Sequence, residues 1–212
     1  MPKQVDHHER REEISRALWR VVEQKGVAHL TVREVAKEAG ISHGALQHYF
    51  ASREAMLCFA MDLATQQKSQ RVGRRLGELG DRPHPRDVLR VMLTEMLPLH
   101  ADARAASRIS AAYVLEALQN ENIRVRARDG IAQGRVIVEQ LIRDAIAEGH
   151  ISPDRDPVVE THLLLALTGF TTLIELDVVG RQDALTAVDQ YLDRLFTEGD
   201  AEHGAREGER RR

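Results

Sequence analysis

Apolar residues at Ile14, Ala17, Leu18, Val21 and Val22 recur at the i, i+3, i+4, i+7, i+8 spacing of one helical face, and Gly26 interrupts the pattern. The spacing predicts a first helix from about Asp6 to Lys25. Thr31 followed three residues later by Glu34 reads as a capping box, opening a short second helix that ends near Ala39. Gly40 permits the left-handed exit of a tight turn, and Ser42 is placed to cap a third helix from His43 to about Tyr49. Ser52 caps a long fourth helix with Met56, Phe59, Ala60 and Leu63 on one face; its pattern weakens after Arg71, and 80–85 is a break.

Beyond the break, helices are expected from about Arg86 to Leu97, from about Ala101 to Gln119 after a turn at Pro98, and along a further long run closing at Gly149. Asp156 and Pro157 supply a cap and a first-turn proline for a helix to Val179, apolar on all sides and so expected to be buried on more than one. The last helix carries Ala184, Ala187, Val188, Tyr191, Leu192 and Leu195 at near-ideal spacing. From Gly199 to Arg212 the chain is charged and glycine-containing, the pattern of a disordered tail. The expected fold is all-α, about nine helices. A three-helix head is expected at 1–54, a larger helical body at 55–198, and the tail at 199–212. The head meets the body within the fourth helix, with no flexible linker.

Composition sharpens this picture. Aromatic residues make up only 4% of the 212, against 42% hydrophobic, a bias toward helix formers and away from strand formers. A net charge of -3 argues against non-specific coating of nucleic acid, although the segment through Arg53 is mildly basic, with nine Lys and Arg against seven Asp and Glu. The lone Cys58 cannot close an intramolecular disulfide, and it lies in an apolar pattern that fits a small buried hydrophobe in a reducing cytoplasm. Residues 1–13 are polar and charged, with no apolar stretch after a basic start, so no secretory signal is expected. The richest apolar run, Leu163 to Leu176, has 14 residues and includes Glu175, so neither a membrane span nor a membrane partner is expected.

The most informative stretch is Val32 to Tyr49. Val35, Ala39, Ile41 and Leu46 supply a shared core for two short helices, Ala36 is small where they approach, and Gly40 makes the turn. Such a motif lays its second helix in the major groove, where N-terminal side chains meet base edges; here these are Ser42, His43, Gly44, Gln47 and His48. Gln47 suits bidentate pairing with adenine, and Arg33 reaches guanine or phosphate. Thr31, Tyr49 and Arg53 are placed for the phosphate backbone. Glycine inside a helix costs about 0.5–1 kcal/mol, so Gly44 reads either as room for close approach to DNA or as a glycine tolerated in a first turn.

Helix 1, the Thr-Val-Arg-Glu-Val-Ala-Lys-Glu-Ala-Gly-Ile-Ser stretch, the Tyr49-Phe50 pair and Ser52-Arg53-Glu54 resemble the N-terminal domain of TetR-family regulators over about residues 10–60. The sequence departs at Gln47, where the family often carries a phosphate-binding tyrosine, and at Arg53, where lysine is usual. The Leu-Pro-Leu turn at Leu97 to Leu99 and the helix lengths resemble the C-terminal domain of BetI-like members. The resemblance implies a ligand-responsive repressor that binds double-stranded operator DNA through the helix-turn-helix DNA-binding domain at 1–54, with a helical ligand-binding and dimerisation domain at 55–198 that joins a homodimer through the last two helices and holds a small-molecule inducer pocket. Apolar surface on the helices at 157–179 and 183–197 also points to these as the interface, with Leu173 and Leu192 the residues whose replacement by Glu should separate protomers.

The sequence carries no glycine-rich phosphate loop, paired metal-ligand spacing or nucleophile motif, so no enzyme, metal or cofactor is expected. Any ligand site belongs in the body, with Met61, Thr65, Leu93, Met96, Leu97, Tyr113, Ile137, Leu141, Thr168 and Phe170 as candidate lining; the alternative for each is core packing. Glu116 and Glu175 interrupt apolar faces, either to orient a cationic or hydroxyl-bearing ligand or, the favoured reading, as rim positions or partners of arginine.

Overall fold

Every member of the first apolar stripe, Ile14, Ala17, Leu18, Val21 and Val22, is buried along one face of α1 (Pro2–Lys25). A computed structural model describes residues 2–210, with the side chains of 9–196. After a 3₁₀ turn at Val27–His29 come α2 (Val32–Ala39), α3 (His43–Gln47) and α4 (Arg53–Glu78). Then follow α5 (Pro85–Thr94), α6 (Ala101–Ala117), α7 (Glu121–Ala147), α8 (Pro157–Ala166), α9 (Phe170–Glu175) and α10 (Arg181–Arg210). No strand occurs among the described residues. The all-α fold of about nine helices is as expected, with α8 and α9 standing for the single helix foreseen at 157–179.

The chain forms two compact units, Met1–Ser69 with His100–Ala127, and Gln70–Leu99 with Arg128–Arg212. In the first, α1 to α4 close a core around Leu18, Val22, Val35, Leu46, Met56 and Leu57, and α6 completes it with Ile109, Tyr113 and Ala117. In the second, Leu89, Leu93, Val138, Ile142, Leu164, Val188 and Leu192 form a separate core. These units divide the chain in space and cut α4 after Ser69, whereas the division expected at 54/55 was drawn on the motif residues alone.

Several elements differ from expectation for local reasons. The third helix ends at Gln47, and Tyr49 lies in a turn whose amide donates to the Leu46 carbonyl (2.9 Å); buried Phe50 ends the helix by packing against Phe59, ring centroids 5.0 Å apart. Helix α4 does not fade after Arg71 but continues to Glu78, because Arg71 and Arg75 reach Glu95 at 2.8 and 3.0 Å. The 157–179 helix breaks into a 3₁₀ turn at Leu167–Gly169, where the Thr168 hydroxyl donates to the Leu165 carbonyl at 2.6 Å. The expected tail is helical through Arg210 in α10, its alanine, glutamate and arginine residues continuing a helix already formed; side chains beyond Phe196 lie outside the described residues.

Two readings of apolar residues change. The helical stretch Pro157–Glu175 runs 19 residues at mean hydropathy 1.4, long and apolar enough by length and composition to cross a bilayer, because only Glu160 and Glu175 interrupt it. Leu192 is fully buried in the second core and cannot be an interface residue, whereas Leu173 is 37% exposed. Periodicity shows that α10 has an apolar face; it does not show that the same chain already covers it.

Candidate nucleic-acid interface

The geometry of α2 and α3 follows from their ends. The Thr31 Oγ1 accepts the Glu34 amide at 3.2 Å, fixing the start of α2, and Gly40 at φ 67° takes the left-handed position beyond its last turn. The expected capping box is half formed: the Thr31 amide donates to the His29 carbonyl (2.8 Å), and the Glu34 carboxylate instead accepts from Lys25 Nζ at 2.7 Å. That hydrogen bond lowers the Glu34 pKa and raises that of Lys25. Arg20 adds a second link from α1, donating to the Glu38 carboxylate at 2.6 Å and to its carbonyl at 3.3 Å. Both links hold α2 against α1 and leave Arg33 exposed on α2.

Ser42 caps α3 by accepting the Ala45 amide at 3.1 Å. Of the five residues of α3 only Leu46 is buried; His43, Gly44 and Gln47 are exposed, as are Ser42 before the helix and His48 after it. Since His43 and Gln47, like Gly44 and His48, are four residues apart, one inward leucine aims these residues outward. Tyr49 is half-buried against the core. Lys37, exposed one turn beyond Arg33, belongs to the same surface; sequence reasoning passed over it, although the i, i+4 spacing signals it.

A Cβ built at Gly44 meets nothing within 4 Å, so no packing inside the chain requires glycine there. Gly44→Ala is therefore expected to raise stability by about 0.5 kcal/mol through helix propensity. If the position lies against DNA, the same variant binds duplex several-fold more weakly. Thermal melts with fluorescence anisotropy test both, and unchanged affinity would assign Gly44 to the tolerated class.

Ser52 Oγ accepts the Ala55 amide at 3.2 Å and sets the start of α4, where Arg53 is the first residue. Arg53 pairs with Glu116 of α6, Nη1 to Oε2 3.4 Å. Glu116 thus takes the arginine-partner role foreseen as one of its alternatives.

The candidate ligand-lining residues divide between the units. Met61, Thr65 and Tyr113 belong to the first, where Tyr113 is buried, Met61 packs against the core and Thr65 is exposed. In the second, Leu93 and Leu97 are core residues, Leu141 and Phe170 pack against them, Thr168 is half-buried, and Met96 and Ile137 are exposed. A groove of about 340 Å³ in the first unit is lined by Glu23, Ala101, Arg104, Ala105 and Arg108, none of them a candidate. Among the described residues no group of three or more His, Cys, Asp or Glu is placed to hold a metal ion.

A capped pair of short helices crossing at a left-handed glycine, with a polar second helix facing outward, defines a helix-turn-helix DNA-binding regulator. Residues 14–58 match the family model described as bacterial regulatory proteins of the tetR family, and 85–197 match the BetI-type transcriptional repressor C-terminal model. The chain belongs to the TetR family of transcriptional regulators, which are not enzymes. It is 32% identical to the HTH-type transcriptional regulator PksA of Bacillus subtilis (strain 168) over 168 residues, 79% of this chain and 78% of that one. It is 36% identical to BetI of Stenotrophomonas maltophilia (strain R551-3) over 93 residues, 44% and 46% of the two chains. A transcriptional regulator from Saccharomonospora viridis, solved in complex with choline, has the same fold at TM-score 0.71 and 20% identity, covering 89% of this chain and 95% of that one.

Proposed function

We propose that the protein is a repressor that binds a pseudo-palindromic operator as a homodimer in the cytoplasm and is released by a small-molecule inducer. The observation that carries the DNA-binding part is the outward set on and around α3, with only Leu46 turned inward. Two copies related by a two-fold axis read inverted half-sites about one helical turn apart, or a multiple of it. Dimerisation is supported by Val159, Leu163, Leu173, Leu176 and Val178, all exposed on or just after α8 and α9. Large apolar side chains exposed together along one stretch of chain call for a partner.

The inducer is read as a small apolar or mixed-polarity molecule. A cage for a quaternary ammonium needs several rings around one point. Of the rings after α4, Tyr113 and Phe196 are buried in separate cores, Tyr191 donates its hydroxyl to Glu160 at 2.5 Å, and Phe170 packs against the second core. The choline bound by the Saccharomonospora regulator is therefore not carried over. Linkage requires that operator weaken the inducer by the factor by which inducer weakens operator; equal inducer affinities in calorimetric titrations with and without operator would refute the switch.

Selecting bound duplexes from a random pool tests the DNA reading. Gln47→Ala is expected to relax preference at one base position per half-site, whereas Arg53→Ala weakens all sequences and flattens the salt dependence. Equal loss on every sequence with Gln47→Ala would reassign that residue to backbone contact.

A further inference from the structure

Arg53 is anchored at both ends of its environment. Its backbone is fixed at the first position of α4 by the Ser52 cap, and the Met56 amide donates to the Ser52 carbonyl at 3.2 Å. Its partner Glu116 lies 63 residues away in sequence, in the last turn of α6. Tyr113 and Ala117, which flank Glu116 on that helix, are buried in the core that also holds Met56, Leu57 and Ala60. One core therefore anchors the helical turns that carry both side chains and keeps the carboxylate close to the guanidinium.

Yet the pair is open to competition. The Arg53 side chain is 42% exposed and that of Glu116 26%, and a single contact at 3.4 Å joins them. Guanidinium binds carboxylate and phosphate by the same planar donor geometry, so a group that satisfies Arg53 in the free protein occupies donors that a DNA phosphate needs. The carboxylate also stays close to any phosphate that displaces it, and like charges repel.

We propose that Glu116 is an intramolecular stand-in for DNA phosphate, holding Arg53 in the free protein and lowering its affinity for duplex of every sequence. The inference rests on the reading of Arg53 as a phosphate contact. Phosphate contacts carry no sequence information, so the effect is uniform and strongest where binding is otherwise purely electrostatic, on non-operator DNA. Removing the carboxylate frees one cationic contact, and an exposed ion pair of this kind corresponds to a change of about two- to five-fold in affinity.

The test is a double-mutant cycle on the full chain with Glu116→Gln, Arg53→Gln and the double variant. Binding to a fluorescent 40-base-pair duplex of random sequence is measured by anisotropy across a salt series, and thermal melts establish that each variant is folded. Glu116→Gln is expected to tighten binding about two- to five-fold at low salt and to steepen the salt dependence by up to about one ion. In the Arg53→Gln background the same substitution is expected to tighten binding less, because only the repulsion between carboxylate and phosphate is left to relieve. Weaker or unchanged binding with Glu116→Gln overturns the proposal, and so does equal tightening in both backgrounds, which would report a general loss of negative charge. If Arg53→Gln binds as tightly as the parent, Arg53 is not a phosphate contact; that outcome overturns the underlying reading as well, and it is distinguishable because it appears in the single variant.

Discussion

Leu192→Glu is expected to unfold the second unit, while Leu173→Glu or Leu176→Glu leaves it folded and dissociates the proposed dimer. Leu192 has no exposed surface and lies among Leu89, Val138, Ile142, Leu164, Val188 and Leu195. A carboxylate placed there has no partner and must either take up a proton or draw in water, a loss of about 4 kcal/mol or more when the lost packing is added. Typical domains are stable by about 5–15 kcal/mol, so the second core would be marginal or lost. Leu173 and Leu176 are 37% and 67% exposed, and a charge there meets water in the monomer but a partner in the dimer. Circular dichroism separates unfolding from dissociation, and light scattering reads the mass. A folded monomer from Leu192→Glu would contradict the core assignment; unchanged dimers from both surface variants would contradict the interface.

Glu95→Gln is expected to destabilise the protein by about 2–3 kcal/mol at neutral pH. The Glu95 side chain is 6% exposed, and two guanidiniums one turn apart on α4 hold it: Arg71 Nε at 2.8 Å and Arg75 Nη1 at 3.0 Å. Arg75 also donates to Thr94 Oγ1 at 3.0 Å. Breaking a fully buried pair costs about 3–5 kcal/mol; water screening of Arg75, about a third exposed, lowers the expected figure. Burial pushes the Glu95 carboxyl upward, but the hydrogen bonds and charges of Arg71 and Arg75 outweigh it and bring the pKa below the ordinary 4.5. Because the folded value is depressed, this stabilisation is complete above the unfolded pKa and is lost as pH falls through the folded one. Urea unfolding should therefore show a constant gap between parent and variant from neutral pH to about 5.5 that closes below about 4.5. A gap that persists unchanged at pH 3 would place the stabilisation outside the carboxylate.

What the sequence made legible was what neighbouring residues decide. Thr31, Ser42, Ser52 and Asp156 each cap the helix they precede, and Gly40 makes the turn, because all these signals act within four residues. Features that depend on distant partners stayed hidden. The continuation of α4 rests on Glu95, 24 residues from Arg71 and 20 from Arg75. Buried Glu160 is made tolerable by Tyr191, 31 residues on, together with Arg155. Nor does spacing identify which chain covers an apolar stripe, which is why Leu192 read as interface. At the candidate interface the exposure of the residues on and around α3 was legible from its single apolar leucine, but the pairing of Arg53 with Glu116 was not, since it joins positions 63 apart.

The completion of the first core by α6 bears on how such regulators can be recombined. A chimera that joins residues 1–54 to another regulator's body exchanges the helices at 32–47 but leaves Met56, Leu57 and Ala60 of α4 and Ile109, Tyr113 and Ala117 of α6 behind. The grafted head then meets foreign helices where these side chains belong, with cavities or clashes against the core residues it keeps, Leu18, Val22, Val35 and Leu46. The transplantable module is discontinuous, comprising the N-terminal helices and the α6 face that seals them, and a specificity swap that keeps stability must move both pieces together.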